Sequence, residues 1–172
     1  MITGGHIAVS YLLAESAKSL GIHLTNNEVI GIIIAGNITD IDFFAGFLNG
    51  KTGEAHHQNI THTPFGILLI WGVMNLVFHP ISYVSLLLLL SLLIHLILDD
   101  VGYWAYRTGI YKLAVNPQVN WLYPFTQFHK QPLITSNKVV LRNYIFKAWP
   151  IALAEGILIV LAIIIFIVRN LT

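Results

Sequence analysis

Cysteine is absent from the chain, which removes disulfides, thiolate nucleophiles and thiolate metal sites and leaves histidine and carboxylate as the available ligands. Charge is scarce as well: Asp, Glu, Lys and Arg make up 10% of the 172 residues, against roughly 25% in an ordinary soluble protein. The formal net charge is +1 and the basic residues form no dense run, so a nucleic-acid partner is not expected. No Lys or Arg precedes the short apolar stretch Ile7–Leu13, and Glu15 follows it at once, which argues against a cleavable signal peptide and predicts a cytosolic start. What fills the chain instead is apolar. A hydrophobic content of 56% places it among membrane proteins, and its length predicts a single domain over residues 1–172.

The apolar residues fall into segments with helical punctuation. Residues 6–20 predict a first, amphipathic helix stopped by Gly21, which can lie on the membrane or pack on other helices. Thr25-Asn-Asn-Glu28 has capping-box spacing and opens a helix through Val29–Ala35 that is too short to span a bilayer and reads as half-inserted. Thr63 and Pro64 can start a helix that runs to Phe78 and is close to spanning length. His79-Pro80 breaks it, and Ile81–Leu98 returns as a long apolar helix, necessarily an antiparallel neighbour because the connection is so short. Pro150–Val168 reads as the last membrane helix, with Arg169 at its end. The expectation is an all-α, polytopic bundle with about three membrane-spanning helices plus the amphipathic and half-inserted ones. Positive residues concentrate between Asp99 and Trp149, which the positive-inside rule assigns to the cytosol.

His95 and Asp99 stand four apart at the end of the long helix, a spacing that puts both on one face and lets them share a cation. The hairpin brings His62 to the same end. It leaves His79 roughly 22 Å away at about 1.5 Å per residue. Asp40 and Asp42 close the preceding helix on that side, and being two apart they imply a turn. Gly50-Lys51-Thr52 invites a phosphate-loop reading, but the motif needs glycine at position 45, where Ala45 stands, so a surface loop is expected. Asp100 reads as a solvated helix-end residue, and His23 and His129 as surface histidines. Glu155 lies inside the last apolar helix, where a carboxylate needs a partner such as a histidine or water.

His6, then Gly36-x3-Asp40-x-Asp42, then His57-x3-Thr61-His62-Thr63, then His95-x3-Asp99 resembles a family of metal-dependent hydrolases of the bacterial and archaeal inner membrane, some of them under SOS control. Its motifs run approximately G-x-x-P-D-x-D, H-R-x-x-T-H-S and H-x-x-x-D after an early histidine, and the similarity extends from His6 to Leu122-Tyr-Pro-Phe125. This chain departs from it at Thr39, Gln58 and Thr63, which stand where the family has proline, arginine and serine. Thr63 can cap as serine does. Gln58 cannot supply the charge with which an arginine holds an anionic substrate. A fainter similarity, of ligand pattern only, is to the all-helical zinc-dependent phospholipases and nucleases.

The resemblance implies His6, Asp40, His62, His95 and Asp99 as metal ligands, with Asp42 and His57 as catalytic candidates. Asp42 has three readings, as a ligand, as a partner orienting a ligating histidine, or as the general base for water. One or two divalent cations are expected, zinc first, with manganese or magnesium as alternatives. The expected activity is hydrolysis of a phosphoester or lipid-linked small molecule at the cytosolic face of the inner membrane, with the bilayer as the other partner. Two other classes fit the sequence: a non-catalytic membrane protein with a structural metal, and a small transporter, which would need polar residues through the membrane depth rather than at one end.

Overall fold

The computed structural model describes residues 3–41, 59–110, 117–126 and 148–171. Among these all the regular secondary structure is helical: α1 (Thr3–Ser19), α2 (Asn26–Ala35), α3 (Pro64–Phe78), α4 (Ser82–Asp99), the short α5 (Val101–Arg107) and α6 (Trp149–Leu171), with 3₁₀ turns at Ile38–Asp40 and Ile60–His62.

Local chemistry sets the ends. Thr25 Oγ1 accepts from Glu28 N while the Glu28 carboxylate accepts from Thr25 N, so the capping box forms as expected and satisfies two donors at the start of α2. Thr63 Oγ1 accepts from Gly66 N at 3.0 Å and Pro64 occupies the first turn of α3. Gly21 follows α1 at φ 87, and His79 ends α3 in the left-handed region at φ 46.

The five long helices run alternately up and down. Tyr83 at the start of α4 reaches the His23 carbonyl just before α2, so α2 and α4 begin at one end of the bundle. Trp71 and Asn75 of α3 hydrogen-bond around Ser85 of α4 and fix that hairpin antiparallel. Helix α6 lies alongside α1 and parallel to it, since Glu155 meets Gly5 at one end and Arg169 meets Glu15 at the other. Ile32, Ile67, Leu92 and Leu96, all fully buried, form the core where α2, α3 and α4 converge.

The bundle is apolar outside and partly polar inside. Helix α1 was expected to be amphipathic. Of the two placements open to it, the helix takes the packed one between α2, α4 and α6, turning small and polar residues inward (Gly5, His6, Ser10, Glu15) and exposing Ile7. Along α6 only Glu155 and Ala162 are buried, and with Arg169 they form a stripe at seven-residue spacing facing α1. Most other large side chains of α6, isoleucine, leucine, valine and phenylalanine, are exposed. Two helices, α4 and α6, are long and apolar enough to cross a membrane. At 15 residues α3, the third expected span, falls short of the roughly 20 that a span takes.

The structure corrects one reading outright. Asp100 is fully buried rather than solvated: its carboxylate accepts from Gln118 N (2.6 Å), Val119 N (3.1 Å) and the Trp121 indole (2.6 Å), and so ties residues 117–126 to the end of α4. Truncation would leave three donors without an acceptor. Asp100→Ala is therefore expected to lower stability by at least about 2 kcal/mol, read as a lower melting temperature in detergent together with red-shifted tryptophan fluorescence as Trp121 loses its partner. Asp100→Asn, which keeps one carbonyl oxygen, should fall between.

Candidate metal centre

Four separate elements deliver polar side chains to one end of the bundle. His6 comes from the first turns of α1, Asp40 from the 3₁₀ turn after α2, His62 from the 3₁₀ turn before α3, and His95 and Asp99 from the last turns of α4. The 3₁₀ segment Ile38–Asp40 brings the Asp40 carboxylate to His95 at the end of α4. All five residues are buried. Asp42, His57 and Gln58 lie outside the described residues, as does the Gly50-Lys51-Thr52 loop.

Three imidazole Nε2 atoms face two carboxylates. His6 Nε2 is 3.1 Å from Asp99 Oδ1. His95 Nε2 is 3.1 Å from Asp99 Oδ2 and 3.4 Å from Asp40 Oδ1. His62 Nε2 is 3.4 Å from Asp40 Oδ1 and 3.8 Å from Asp99 Oδ2. The His6 and His95 rings stack at 4.0 Å between centroids. Two overlapping groups, His6–Asp40–His95 and His62–His95–Asp99, have donor atoms close enough together to hold a metal ion. The separations also fit, because donors held about 2.0–2.2 Å from one cation lie about 3.0–3.6 Å from each other. Several are long for charge-assisted N–H···O⁻ hydrogen bonds, which run about 2.7–2.9 Å.

The tautomer of His95 can be read from its surroundings. Its Nδ1 lies 2.7 Å from the Gly36 carbonyl, which can only accept, so Nδ1 carries the proton. In the neutral ring Nε2 then presents a lone pair to two carboxylate oxygens and makes no directed hydrogen bond. That arrangement is repulsive unless positive charge stands between them. Doubly protonated His95 would supply one positive charge against two carboxylates. A divalent cation balances both. Thr61 Oγ1 lies 3.2 Å from His62 Nδ1 and braces that ring, though a hydroxyl can donate or accept and leaves its tautomer open.

Burial works against the Asp40 carboxylate, yet the His62 and His95 imidazoles that face it outweigh burial and hold the group well below the usual carboxylate range. Burial pushes the His6 imidazole below its ordinary value, and Asp99 only partly offsets this.

Three supporting groups have no counterpart among the expected site residues. Gly36 gives its carbonyl to His95, and it must be glycine, because a Cβ there would overlap Ser10 Oγ and Ser91 Oγ. Ser91 donates to the Ile32 carbonyl and hydrogen-bonds Ser10, holding α1, α2 and α4 together one turn from the site. Glu155 accepts from Gly5 N at 3.0 Å, so the partner of this carboxylate is an otherwise unpaired backbone donor in the first turn of α1, next to His6. The signal for Glu155 was its presence in an apolar helix; nothing local pointed to Gly5.

Compared with known proteins, residues 1–171 match the model of one family, described as YdjM inner membrane protein. No curated protein and no solved structure matches the chain.

Proposed function

Because this chain belongs to the YdjM inner membrane protein family, we propose that its buried histidine–aspartate cluster is a divalent-metal centre serving hydrolysis of a phosphoester or lipid-linked substrate at the membrane face. The observation that carries the reading is His95: its Nδ1 is committed to Gly36, and its Nε2 faces the oxygens of Asp40 and Asp99 without a directed hydrogen bond. His6, Asp40, His62, His95 and Asp99 would hold the metal. Three nitrogen and two carboxylate donors favour zinc, then manganese, and disfavour magnesium, which takes oxygen. A bound cation supplies a Lewis acid for a phosphoryl or carbonyl oxygen and a means of ionising water near neutral pH. The protein's own contribution is orientation. Gly36 and Thr61 set two imidazole planes, Glu155 anchors the turn that carries His6, and the surrounding apolar core excludes bulk water. Asp42 and His57 are the candidates for taking a proton.

The site end is assigned to the cytosol. The segments joining helix termini at that end carry Lys51, Arg107, Lys112, Lys130, Lys138, Arg142 and Lys147, whereas the far end has Lys18 and Arg169.

The depth of the cluster favours a second reading, a closed structural metal site. The two separate by experiment. Protein purified in detergent is analysed for metal and then assayed on phosphodiester, phosphomonoester and lipid substrates with and without chelator. The hydrolase reading expects metal at or above one equivalent per chain and turnover that chelator abolishes and zinc or manganese restores. Stoichiometric metal with no turnover on any of these substrates would leave the structural site, and metal-free protein would sink both.

A further inference from the structure

A second feature lies along α1, away from the histidine–aspartate cluster. A cavity of about 630 Å³ runs between α1, α2 and α6, lined on its long walls by Ile7, Tyr11, Ile33, Ile163 and Phe166. Its polar lining is confined to one end, at Glu15, Lys18, Asn26, Arg169 and Asn170. We propose that this groove binds one anionic phospholipid, with its phosphate at Lys18 and Arg169 and an acyl chain laid along α1 and α6.

The shape excludes most other small molecules. From Gly4 to Lys18 the groove follows about 21 Å of helix at about 1.5 Å per residue, somewhat more than one leaflet of a hydrocarbon core about 30 Å thick. A compact polar metabolite would meet polar groups only at the end. A molecule with a long apolar stem and a charged head meets matching chemistry throughout. The volume lies in the range of about 300–1,000 Å³ usual for sites that take a single ligand. One wall is α6, whose apolar surface is turned outward in a protein of an inner-membrane family, so lipid is the medium at the groove's mouth.

The charge at the polar end fits an anion. Glu15 is buried there and draws in Lys18 Nζ at 2.9 Å and Arg169 Nε at 3.3 Å. One carboxylate thus holds two cations, and the trio keeps a net positive charge. The Arg169 side chain is 54% exposed and its Nε is the atom engaged with Glu15, so the guanidinium can still offer its other N–H groups to a phosphate. Glu15 orients the cations rather than cancelling them.

The inference rests on the groove and the inner-membrane family, not on the metal reading, and metal content serves as an independent readout. The test is native mass spectrometry of the detergent-purified chain titrated with phosphatidylglycerol or phosphatidylethanolamine of the same chain length. Wild type is expected to retain one phosphatidylglycerol with about tenfold preference, because both lipids carry a phosphate but the ethanolamine ammonium cancels its charge and is repelled by the two cations. The double variant Lys18→Gln/Arg169→Gln should lose that preference, and Arg107→Gln, a cation at the other end of the bundle, should keep it. Ile163→Trp, at an exposed lining position, should weaken both lipids by filling the groove. Metal content should be unchanged in all of them. Equal retention of the two lipids by wild type, undiminished preference in the double variant, or a stable dimer that excludes lipid from the groove would each overturn the proposal.

Discussion

Asp99→Asn is expected to strip the protein of metal, leaving less than about a tenth of the wild-type content after purification without added zinc, while its helical circular dichroism is retained. The carboxylate is the common neighbour of all three imidazoles, at 3.1 Å from His6 and His95 and 3.8 Å from His62, and both of its oxygens are in use. Asparagine keeps the volume but removes the charge and turns one oxygen into a donor nitrogen. A ligand role cannot survive that change, because each ligand supplies a share of the binding free energy that the others cannot replace. A purely structural cluster would respond differently: with no metal in wild type, Asp99→Asn would relieve charge repulsion beside Asp40 and could even stabilise the fold. His79→Ala is the control. His79 is exposed at the opposite end of α3, and alanine carries the same Cβ in the same left-handed backbone, so neither metal nor fold should change. Equal metal in wild type and both variants would end the hydrolase reading.

The helix ends were legible because capping is local. Thr25 and Glu28, or Thr63 and Pro64, lie within four residues of each other and need no knowledge of the rest of the chain. The gathering of His62, His95 and Asp99 was also legible, since a short turn at His79-Pro80 forces the two flanking helices antiparallel. The groups that orient the cluster were not. The Gly36 carbonyl meets His95 across 59 residues and Glu155 meets Gly5 across 150, and no periodicity in either helix encodes such a pairing. Asp100 was misread for the same reason, as its acceptors' partners begin 18 residues later at Gln118. The inward face of α1 was not legible for another reason. An apolar-and-polar helix is conventionally read with its apolar face inward, but with lipid outside and a polar site inside the useful arrangement is the reverse.

The glycine that supports His95 gives the second large effect. Gly36→Ala adds only one methyl group, yet that methyl would overlap Ser10 Oγ and Ser91 Oγ and come within 3.2 Å of Ser10 Cβ, so the two hydroxyls must turn away and give up their bonds to each other and to Ile32, or α2 must move off α1 and α4. Any such movement carries the Gly36 carbonyl off His95 Nδ1, where the contact is now 2.7 Å. Two losses follow. Overpacking costs about 1–3 kcal/mol of stability. An imidazole freed from its anchoring acceptor can rotate or change tautomer, which typically lowers metal affinity about 10–100-fold. Zinc titration against a competing chelator measures the second loss separately from the melting temperature. Removing the obstruction should return much of both: in Gly36→Ala/Ser10→Ala/Ser91→Ala the hydroxyls are gone and only the 3.2 Å contact remains, which small helix adjustments can absorb. If Gly36→Ala lowered stability but left zinc affinity at the wild-type value, the Gly36 carbonyl would be a packing detail, and His95 would need no fixed tautomer to hold the metal.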